Sequence, residues 1–164
     1  GVPTLGEHAW GLSAMDVAKG YAVPGVYPNL MKLPGMRPEF DYSTFAPKDD
    51  YGDGSIAVYA PGAAIMFEPA AALDVLRYTR GLRAADGSAL VWRDPSRPPE
   101  AGGGYGFRDS YNLGTGWVAP DYVCIDQGPL LLAIENARTG LIWRTFHAHP
   151  WVRAAGERLG WQKP

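Results

Sequence analysis

Two carboxyl residues near the end of the chain, Asp126 and Glu135, are of the type that acid–base chemistry uses. Asp126 comes just before a helix that Pro129 predicts, since proline is common at the first helical position. Free backbone N–H groups and the positive dipole at a helix start favour an anion, so we expect Asp126 to stay ionised. An ionised carboxylate can act as a general base or bind hydroxyl groups; the alternative is that Asp126 only caps the helix.

Glu135 is the candidate for the second catalytic carboxyl group. It lies six residues beyond Pro129 in a largely apolar stretch, and burial would raise the pKa of its carboxyl group as a general acid requires. Arg138 stands three residues further on and can pair with Glu135 directly, which favours a structural ion pair over catalysis. Glycoside hydrolysis usually uses two carboxyl groups about 5 to 9.5 Å apart, and Asp16 and Asp109 are further candidates for such a pair.

Four short clusters combine aromatic, polar and charged side chains. Six Trp and nine Tyr contribute to an aromatic share of 12%; their flat rings can stack on sugars, although filling a core is the commoner use of any one Trp. Arg108, beside Asp109, can hold a sugar by hydrogen bonds or stabilise its own loop. The clusters are WGLSAMD (10–16), YGFRDSYN (105–112), IDQGP (125–129) and IENARTG (134–140).

Composition and cysteine content exclude several classes of function. The net charge is −2 and the sequence has no Lys/Arg cluster, which argues against a nucleic-acid partner. The single cysteine, Cys124, excludes an internal disulfide, and its apolar neighbours predict a buried, inert thiol. The sequence contains no ligand spacing for a metal, no nucleotide-binding fingerprint and no apolar stretch of about eighteen residues. We therefore expect no metal, no cofactor and no membrane span.

The clearest secondary-structure signals are helical, and each follows a proline. Helices are predicted from Pro69 to Gly81, from Pro129 to about His147, and from Pro150 onward. Apolar residues cover most of the circumference of the second of these helices, which predicts that it is buried. A shorter helix around 56–65 is a weaker prediction, because Pro61 would interrupt or begin it.

Loops are predicted for most of the remaining chain. Residues 1–62 are rich in Gly and Pro yet contain dispersed aromatic residues, which indicates long ordered loops. Residues 86–121 are also predicted as loop, within which ALVW (89–92) and YGF (105–107) could pair as a small hairpin. The expected fold class is therefore all-α with long loops, a pattern that suits a helical toroid. A toroid of about twelve helices needs roughly 200 residues or more, so this chain cannot close one alone.

Four motifs carry a resemblance to a known family. They are WGLSAMD, DGSIAVYAPGA, YGFRDSYNL and WVAPDYVCIDQGPLLLAIENARTGLIWRTF, which together cover most of residues 10–146. In order and spacing they resemble the C-terminal motifs of the bacterial glucoamylase-like family, which includes endo-β-1,2-glucanases and is similar to a segment of cyclic β-1,2-glucan synthases. The resemblance implies a glucan cleft at one rim of an (α/α)6 toroid and metal-independent acid–base chemistry on β-glucosidic bonds. Residues 1–164 would form one segment of such a domain.

The resemblance also implies which residues line the cleft. The catalytic candidates remain Asp126 and Glu135. The stretch 27–53 is long for the family and Ala137 replaces a common aromatic residue, so the shape of the cleft is expected to differ. The substrate-binding candidates are Trp10, Asp16, Tyr105, Arg108, Asp109, Tyr122 and Gln127.

The function expected from these features is that of a glycoside hydrolase acting on a β-glucan, with β-1,2-glucan as one candidate. The family's N-terminal half, which holds its principal acidic residues, is not in this sequence, so the chain alone is expected to be inactive. Its expected partners are a saccharide substrate and either the missing half of the domain or a second copy of the chain. The chain begins without Met or a signal peptide and is expected to derive from a longer protein, with a periplasmic or secreted location suspected.

Two other functions are alternatives at this stage. One is a noncatalytic carbohydrate-binding or structural remnant of the same fold. The other is an unrelated helical interaction module, which would require Trp10, Trp117 and Tyr122 to be buried and a cleft to be absent.

Overall fold

The computed structural model describes residues 6–11, 13–18, 20–22 and 54–161, which contain helices joined by short strands and turns. The stretch 27–53, which belongs to the loop region predicted over 1–62, lies outside the described residues. The helices are α1 (Tyr59–Ala63), α2 (Pro69–Gly81), α3 (Cys124–Thr139), α4 (Leu141–Ala148) and α5 (Pro150–Arg158). The strands are β1 (Met15–Val17), β2 (Gly20–Ala22), β3 (Ile56–Ala57), β4 (Trp92–Arg93), β5 (Gly106–Phe107), β6 (Ser110–Asn112) and β7 (Trp117–Val118).

The strands form three small antiparallel sheets, so the expectation of an all-α chain holds only in part. One sheet has the order β3–β6–β7, with Tyr111 opposite both Ile56 and Val118. Another pairs β1 with β2. The third pairs β4 with β5 and is the hairpin predicted from ALVW and YGF, with Trp92 opposite Phe107. Strands this short fall below the length at which alternation of polar and apolar residues is a usable signal.

Helix α2 confirms the prediction that Pro69 begins a helix and Gly81 ends it. Its buried face carries Ala72, Val75, Leu76 and Thr79. The Thr79 and Tyr111 hydroxyl groups lie 3.1 Å apart, so a hydrogen bond joins α2 to the fully buried centre of the β3–β6–β7 sheet.

The helix predicted from Pro129 to His147 is instead two helices, and the first begins earlier. Helix α3 starts at Cys124 and carries Pro129 in its interior, where the proline lacks the N–H that would bond to the preceding turn. Gly140 ends α3 with a φ of +66°, a conformation that glycine adopts readily. Asn136 of α3 is linked to α4, because its Oδ1 accepts the Trp143 N–H at 2.9 Å.

The prediction that this helical region is buried on all sides is wrong for the described residues. Only one face of α3 is covered, mainly by α1 and the 3-10 turn Ala64–Met66, and Leu130 and Ala133 lie on that face. The prediction of a buried Cys124 is also wrong, because this first residue of α3 is exposed. Large apolar side chains on the other faces of α3 and on α4 are exposed, namely Ile125, Leu131, Leu132, Leu141, Trp143 and Phe146.

Helix α5 confirms the prediction that Pro150 begins the last helix. The His149 ring Nδ1 accepts the Trp151 N–H at 3.3 Å and so caps the helix start. Within the described ranges, no helix combines the length and the apolar character that a membrane crossing requires.

Candidate active site

Three carboxyl groups from distant parts of the sequence lie close together. Asp16 lies in β1, Asp109 lies between β5 and β6, and Asp126 lies in the first turn of α3. Hydrogen bonds and close charges connect all three. We call this group the carboxyl cluster.

Asp109 is the centre of the carboxyl cluster and is only 1% exposed. Its Oδ2 accepts the Asp16 backbone N–H at 2.9 Å. Its own backbone is also held, since its carbonyl accepts the Val58 N–H at 3.1 Å and its N–H bonds to the Asp121 carbonyl. The other carboxyl oxygen, Oδ1, is buried and has no hydrogen-bond donor among the described residues when the neighbouring carboxyl groups are ionised.

Asp126 is the member of the carboxyl cluster that can hold a proton near neutral pH and donate a hydrogen bond to Asp109. Burial is the main cause that raises the pKa of Asp126 to about 7, and a hydrogen bond to the Asp109 side chain and the charges of Asp109 and Asp16 act in the same direction. The expectation that Asp126 stays ionised is therefore wrong, because loss of solvent and two like charges outweigh the helix dipole. Below about pH 7, Asp126 is therefore expected to hold a proton.

Asp16 is the more accessible member of the carboxyl cluster, with a half-buried side chain. Burial raises the pKa of its carboxyl group above the ordinary value, and the charges of Asp109 and Asp121 add to that effect. Its backbone is fixed on both sides, because its carbonyl accepts the Ser110 hydroxyl at 2.6 Å while its N–H bonds to Asp109. Asp16 can therefore present a carboxyl group to a ligand without losing its position.

Tyr59, the first residue of α1, is a polar neighbour that the sequence did not single out as a site residue. Its hydroxyl lies 2.5 Å from Ser13 Oγ and donates to the Ala14 carbonyl at 3.0 Å. Burial raises the pKa of Tyr59, and the charges of Asp126 and Asp109 contribute to the same shift. The ring therefore stands beside the carboxyl cluster, yet no local pattern relates residue 59 to residues 109 and 126.

Arg108, Tyr122 and Tyr105 form an aromatic corner next to the carboxyl cluster. Arg108 does not pair with Asp109; its Nη1 donates to the Ala119 and Pro120 carbonyls at 2.9 and 2.6 Å. The same guanidinium lies 5.5 Å from the centre of the Tyr122 ring, which packs edge-on against Tyr105. The sequence left open whether Arg108 binds a sugar or stabilises its own loop. These hydrogen bonds to the loop carbonyls favour stabilisation of the loop. Tyr105 is 76% exposed and presents a ring to solvent.

The remaining sequence candidates occupy different surroundings. Gln127 Nε2 donates to the Phe107 carbonyl at 2.7 Å and ties α3 to β5. Trp10 is half-buried and adjoins Gly11, whose carbonyl accepts the Ala57 N–H. Trp117 and Tyr122 are also half-buried, so the burial required for an unrelated interaction module is not observed.

Glu135 does not join the carboxyl cluster. It lies nine residues after Asp126 in α3, which is about 13 Å along a helix axis. Its carboxyl group instead pairs with Arg138 at 3.6 Å and accepts the Thr139 hydroxyl at 2.8 Å. The geometry therefore matches the ion pair that the sequence offered as the alternative to catalysis.

The chemistry available to the carboxyl cluster is proton donation near neutral pH. A protonated carboxyl group beside ionised ones can protonate a leaving group, while a second carboxylate stabilises positive charge or activates water. Across the part of the chain that the structure describes, no group of His, Cys, Asp and Glu side chains is arranged to hold a metal ion.

Comparison with known proteins gives consistent matches along nearly the whole chain. The profile of the glycoamylase family, described as "Putative glucoamylase", matches residues 3–150. A curated relative from Parabacteroides distasonis, exo beta-1,2-glucooligosaccharide sophorohydrolase (non-reducing end), is 30% identical over 155 residues, which are 94% of this chain and 16% of the relative.

Solved structures of similar proteins share the fold. The endo-beta-1,2-glucanase from Chitinophaga pinensis, in complex with sophorotriose and glucose, has a TM-score of 0.67 at 25% identity over 96% of this chain and 29% of that chain. The beta-1,2-glucanase from Parabacteroides distasonis has a TM-score of 0.64 at 30% identity over 94% of this chain and 17% of that chain. This chain therefore spans less than a third of the length of each of these relatives.

Proposed function

The chain belongs to the glycoamylase family, and we propose that it forms one segment of a glycoside hydrolase domain that cleaves β-glucans with the carboxyl cluster at its cleft. The single observation that carries the proposal is the meeting of Asp16, Asp109 and Asp126, in which burial of Asp126 and its hydrogen bond to Asp109 raise the pKa of Asp126 to about 7. Family membership supplies the reaction class, and the carboxyl cluster supplies groups that suit it.

Each member of the carboxyl cluster has a proposed role. Asp126 donates its proton to the glycosidic oxygen of the leaving group. Asp109 is a positioning residue, because it is too deeply buried to touch substrate and acts by holding the proton of Asp126. Asp16, with its half-buried side chain, is the second carboxyl group at the reacting centre. Tyr59 stands beside these groups and limits their contact with water.

A β-1,2-linked glucan is the substrate that the comparisons favour. The curated relative is named for β-1,2-gluco-oligosaccharides, and two solved relatives are named β-1,2-glucanases. A neutral sugar chain needs flat apolar surfaces rather than charges for binding, and the exposed Tyr105 ring of the aromatic corner offers one.

The proposal includes an (α/α)6 toroid of which residues 1–164 form a single segment. Relatives with similar structure are more than three times as long as the region that matches this chain. The apolar side chains that α3, α4 and α5 leave exposed are those that further helices of a toroid would cover. Completion of the ring by further chain would also place a second wall opposite the carboxyl cluster.

A noncatalytic saccharide-binding role is a second candidate. Asp126 is only 8% exposed, so a ligand reaches its carboxyl group through a narrow opening. The half-buried Tyr122 ring and the exposed Tyr105 ring of the aromatic corner could bind a sugar that does not reach the Asp126 carboxyl group. Cleavage distinguishes the two roles, because binding alone releases no new reducing ends.

A reducing-sugar assay on linear β-1,2-glucan tests the proposal. The 164-residue chain is compared with a form extended to the full length of its longer relatives, and activity is expected only in the extended form. In that form, Asp126→Asn is expected to reduce the rate about a hundredfold or more, because the substituted side chain cannot donate the proton.

Glu135→Gln is the matched control on the same helix, and it is expected to change the rate less than about threefold because Glu135 pairs with Arg138 instead. Unchanged activity in Asp126→Asn, with its circular dichroism spectrum intact, would remove Asp126 from the reaction. An inactive extended form that still binds the glucan would support the saccharide-binding role.

A further inference from the structure

A cavity of about 560 Å³ next to β4 is lined by four arginines. They come from the end of α2, the loop after it, and the strand and loop that follow, and Asp94 is the one carboxyl residue among the described lining residues. The arginines are Arg80, Arg83, Arg93 and Arg97. We call this the arginine cavity.

Packing holds Arg80 in place at the wall of the arginine cavity. Its guanidinium lies 5.0 Å from the centre of the Trp92 ring, a distance at which a cation is attracted to the face of an indole. Trp92 is itself fixed, because its ring packs edge-on against Phe107 with centres 4.7 Å apart. A guanidinium held this way loses little conformational freedom when it binds a ligand.

Arg83 is also held, at the end of α2. Its Nη1 donates to the carbonyls of Arg80 and Leu82 at 3.0 and 2.9 Å. Those two bonds use one nitrogen of the guanidinium, so the other N–H groups can donate elsewhere.

The loop that carries Arg97 is folded back on itself. The Gly104 N–H donates to the Asp94 carbonyl at 3.2 Å, and the Gly103 N–H donates to the Pro98 carbonyl at 3.0 Å. A Cβ at Gly103 would lie 1.8 Å from the Arg97 carbonyl oxygen, so only glycine permits this close approach. The wall is thus formed by a defined turn.

The positive charges of the arginine cavity are not neutralised within the described part of the chain. None of the four guanidiniums forms an ion pair there. The Asp94 carboxyl group accepts the Ser96 N–H and hydroxyl at 2.9 and 2.8 Å, so its hydrogen bonds go to its own turn. These hydrogen bonds lower the pKa of Asp94, with smaller contributions from the charges of Arg97 and Arg80. Among the lining residues, four positive charges therefore face the one negative charge of Asp94, and the Asp86 carboxylate near Arg93 adds a second negative charge from outside the lining.

We propose that the arginine cavity binds a phosphate group, either free or attached to a sugar. Guanidinium forks match the planar oxygens of carboxylates and the tetrahedral oxygens of phosphate, and several together give both charge and direction. The cavity has room for more than a single ion, and Trp92 forms part of its wall. An anion attached to a sugar ring therefore fits as well as a free one. This inference is independent of the proposed hydrolase function.

Isothermal titration calorimetry of the 164-residue chain at low ionic strength tests the proposal with inorganic phosphate, glucose 6-phosphate and glucose. Phosphate and glucose 6-phosphate are expected to bind and glucose is not. Affinity is expected to fall as salt is raised, because the arginines are largely exposed. Tighter binding of glucose 6-phosphate than of phosphate would identify a sugar-borne anion, and equal binding would identify a free one.

Variants decide whether binding occurs in the arginine cavity. Arg97→Gln and Arg93→Gln are each expected to weaken phosphate binding about fivefold, the size expected for loss of one charge-assisted contact at a hydrated site. Neither side chain donates a hydrogen bond within the described structure, so folding should be retained. Arg153→Gln on the exposed side of α5 is the matched control and should leave affinity unchanged. Absence of phosphate binding, or equal losses in all three variants, would overturn the proposal.

Discussion

The two ends of α3 differ in how completely the chain covers them. At its first turn, Asp126 is buried against Asp109 and β1. Beyond its last turn, α4 and α5 expose large apolar side chains such as Trp143, Phe146 and Trp151. The site end is built from three segments of this chain, whereas the far end has apolar faces without a cover among the described residues.

This difference shows that the arrangement of the carboxyl cluster does not depend on whether the apolar faces of α3 to α5 are covered. Hydrogen bonds within this chain hold Asp16 and Asp126 beside Asp109, so the raised pKa values of Asp16 and Asp126 need no further chain. The apolar faces of α3 to α5 contribute little to stability while water covers them, since burial is what makes apolar surface stabilising.

Neighbouring leucines on α3 give the largest contrast in stability. Leu130 is 5% exposed and packs against Gly62 of α1, whereas Leu131 is 68% exposed. Leu130→Ala is expected to lower the free energy of unfolding by about 2–4 kcal/mol, since it leaves a cavity. Leu131→Ala is expected to change it by less than about 0.5 kcal/mol.

Urea denaturation of both variants measures these differences. Equal losses would show that the two faces of α3 are equally buried in solution, and so would remove the contrast. In a form extended to the length of the relatives, the cost of Leu131→Ala is expected to rise toward that of Leu130→Ala as further helices cover that face.

The dependence of stability on pH is the next largest effect. The folded state raises the pKa of Asp126 to about 7 from an ordinary value of 3.8, so the folded chain binds more protons than the unfolded chain between these values. Stability from this group is therefore present at low pH and lost as pH rises from about 4 to about 7.

Asp126→Asn isolates that contribution. The wild-type chain is expected to lose roughly 1–3 kcal/mol relative to this variant over the same interval, because only the wild type must ionise a crowded carboxyl group. Thermal unfolding at pH 4.5, 6 and 7.5 measures the difference. A difference that is constant with pH would contradict the raised pKa.

The break between α3 and α4 gives the smallest effect. Gly140 has a φ of +66°, so Gly140→Ala is expected to destabilise the chain by about 1 kcal/mol. Gly81, the last residue of α2, has no positive φ and open space around it, so Gly81→Ala is expected to stabilise by about 0.5–1 kcal/mol. Thermal unfolding of the pair tests whether the helix break is a fixed feature; stabilisation by both substitutions would show that α3 and α4 can join.

Features with local signals were predictable from the sequence. Pro69 and Gly81 mark both ends of α2, and ALVW with YGF marks the hairpin of β4 and β5. The start of α3 was misplaced because Pro129 has the same local signal as Pro69, yet here it lies inside a helix whose first turn is held by tertiary contacts.

The carboxyl cluster was only partly predictable, for a different physical reason. The motifs named Asp16, Asp109 and Asp126, but residues 93 and 17 positions apart are brought together by tertiary contacts that no local pattern encodes, such as the hydrogen bond from the Asp16 N–H to Asp109. The helix dipole predicted an ionised Asp126, whereas burial, together with the neighbouring Asp109 and Asp16, reverses that expectation. The arginine cavity escaped notice because its four arginines are dispersed over residues 80–97 and converge only when the loop folds back.

Titration of the Asp126 carboxyl carbon by NMR in the wild-type chain and in Asp109→Asn is the most direct test of the carboxyl cluster. The amide introduced by this substitution can still accept the Asp16 N–H and can donate to Asp126, so the geometry is retained while one like charge is lost. The midpoint is expected near 7 in the wild type and well below that value in Asp109→Asn, with Glu135→Gln unchanged from the wild type. A wild-type midpoint near 4 that does not move in Asp109→Asn would contradict the account, because Asp126 would then hold no proton for the reaction.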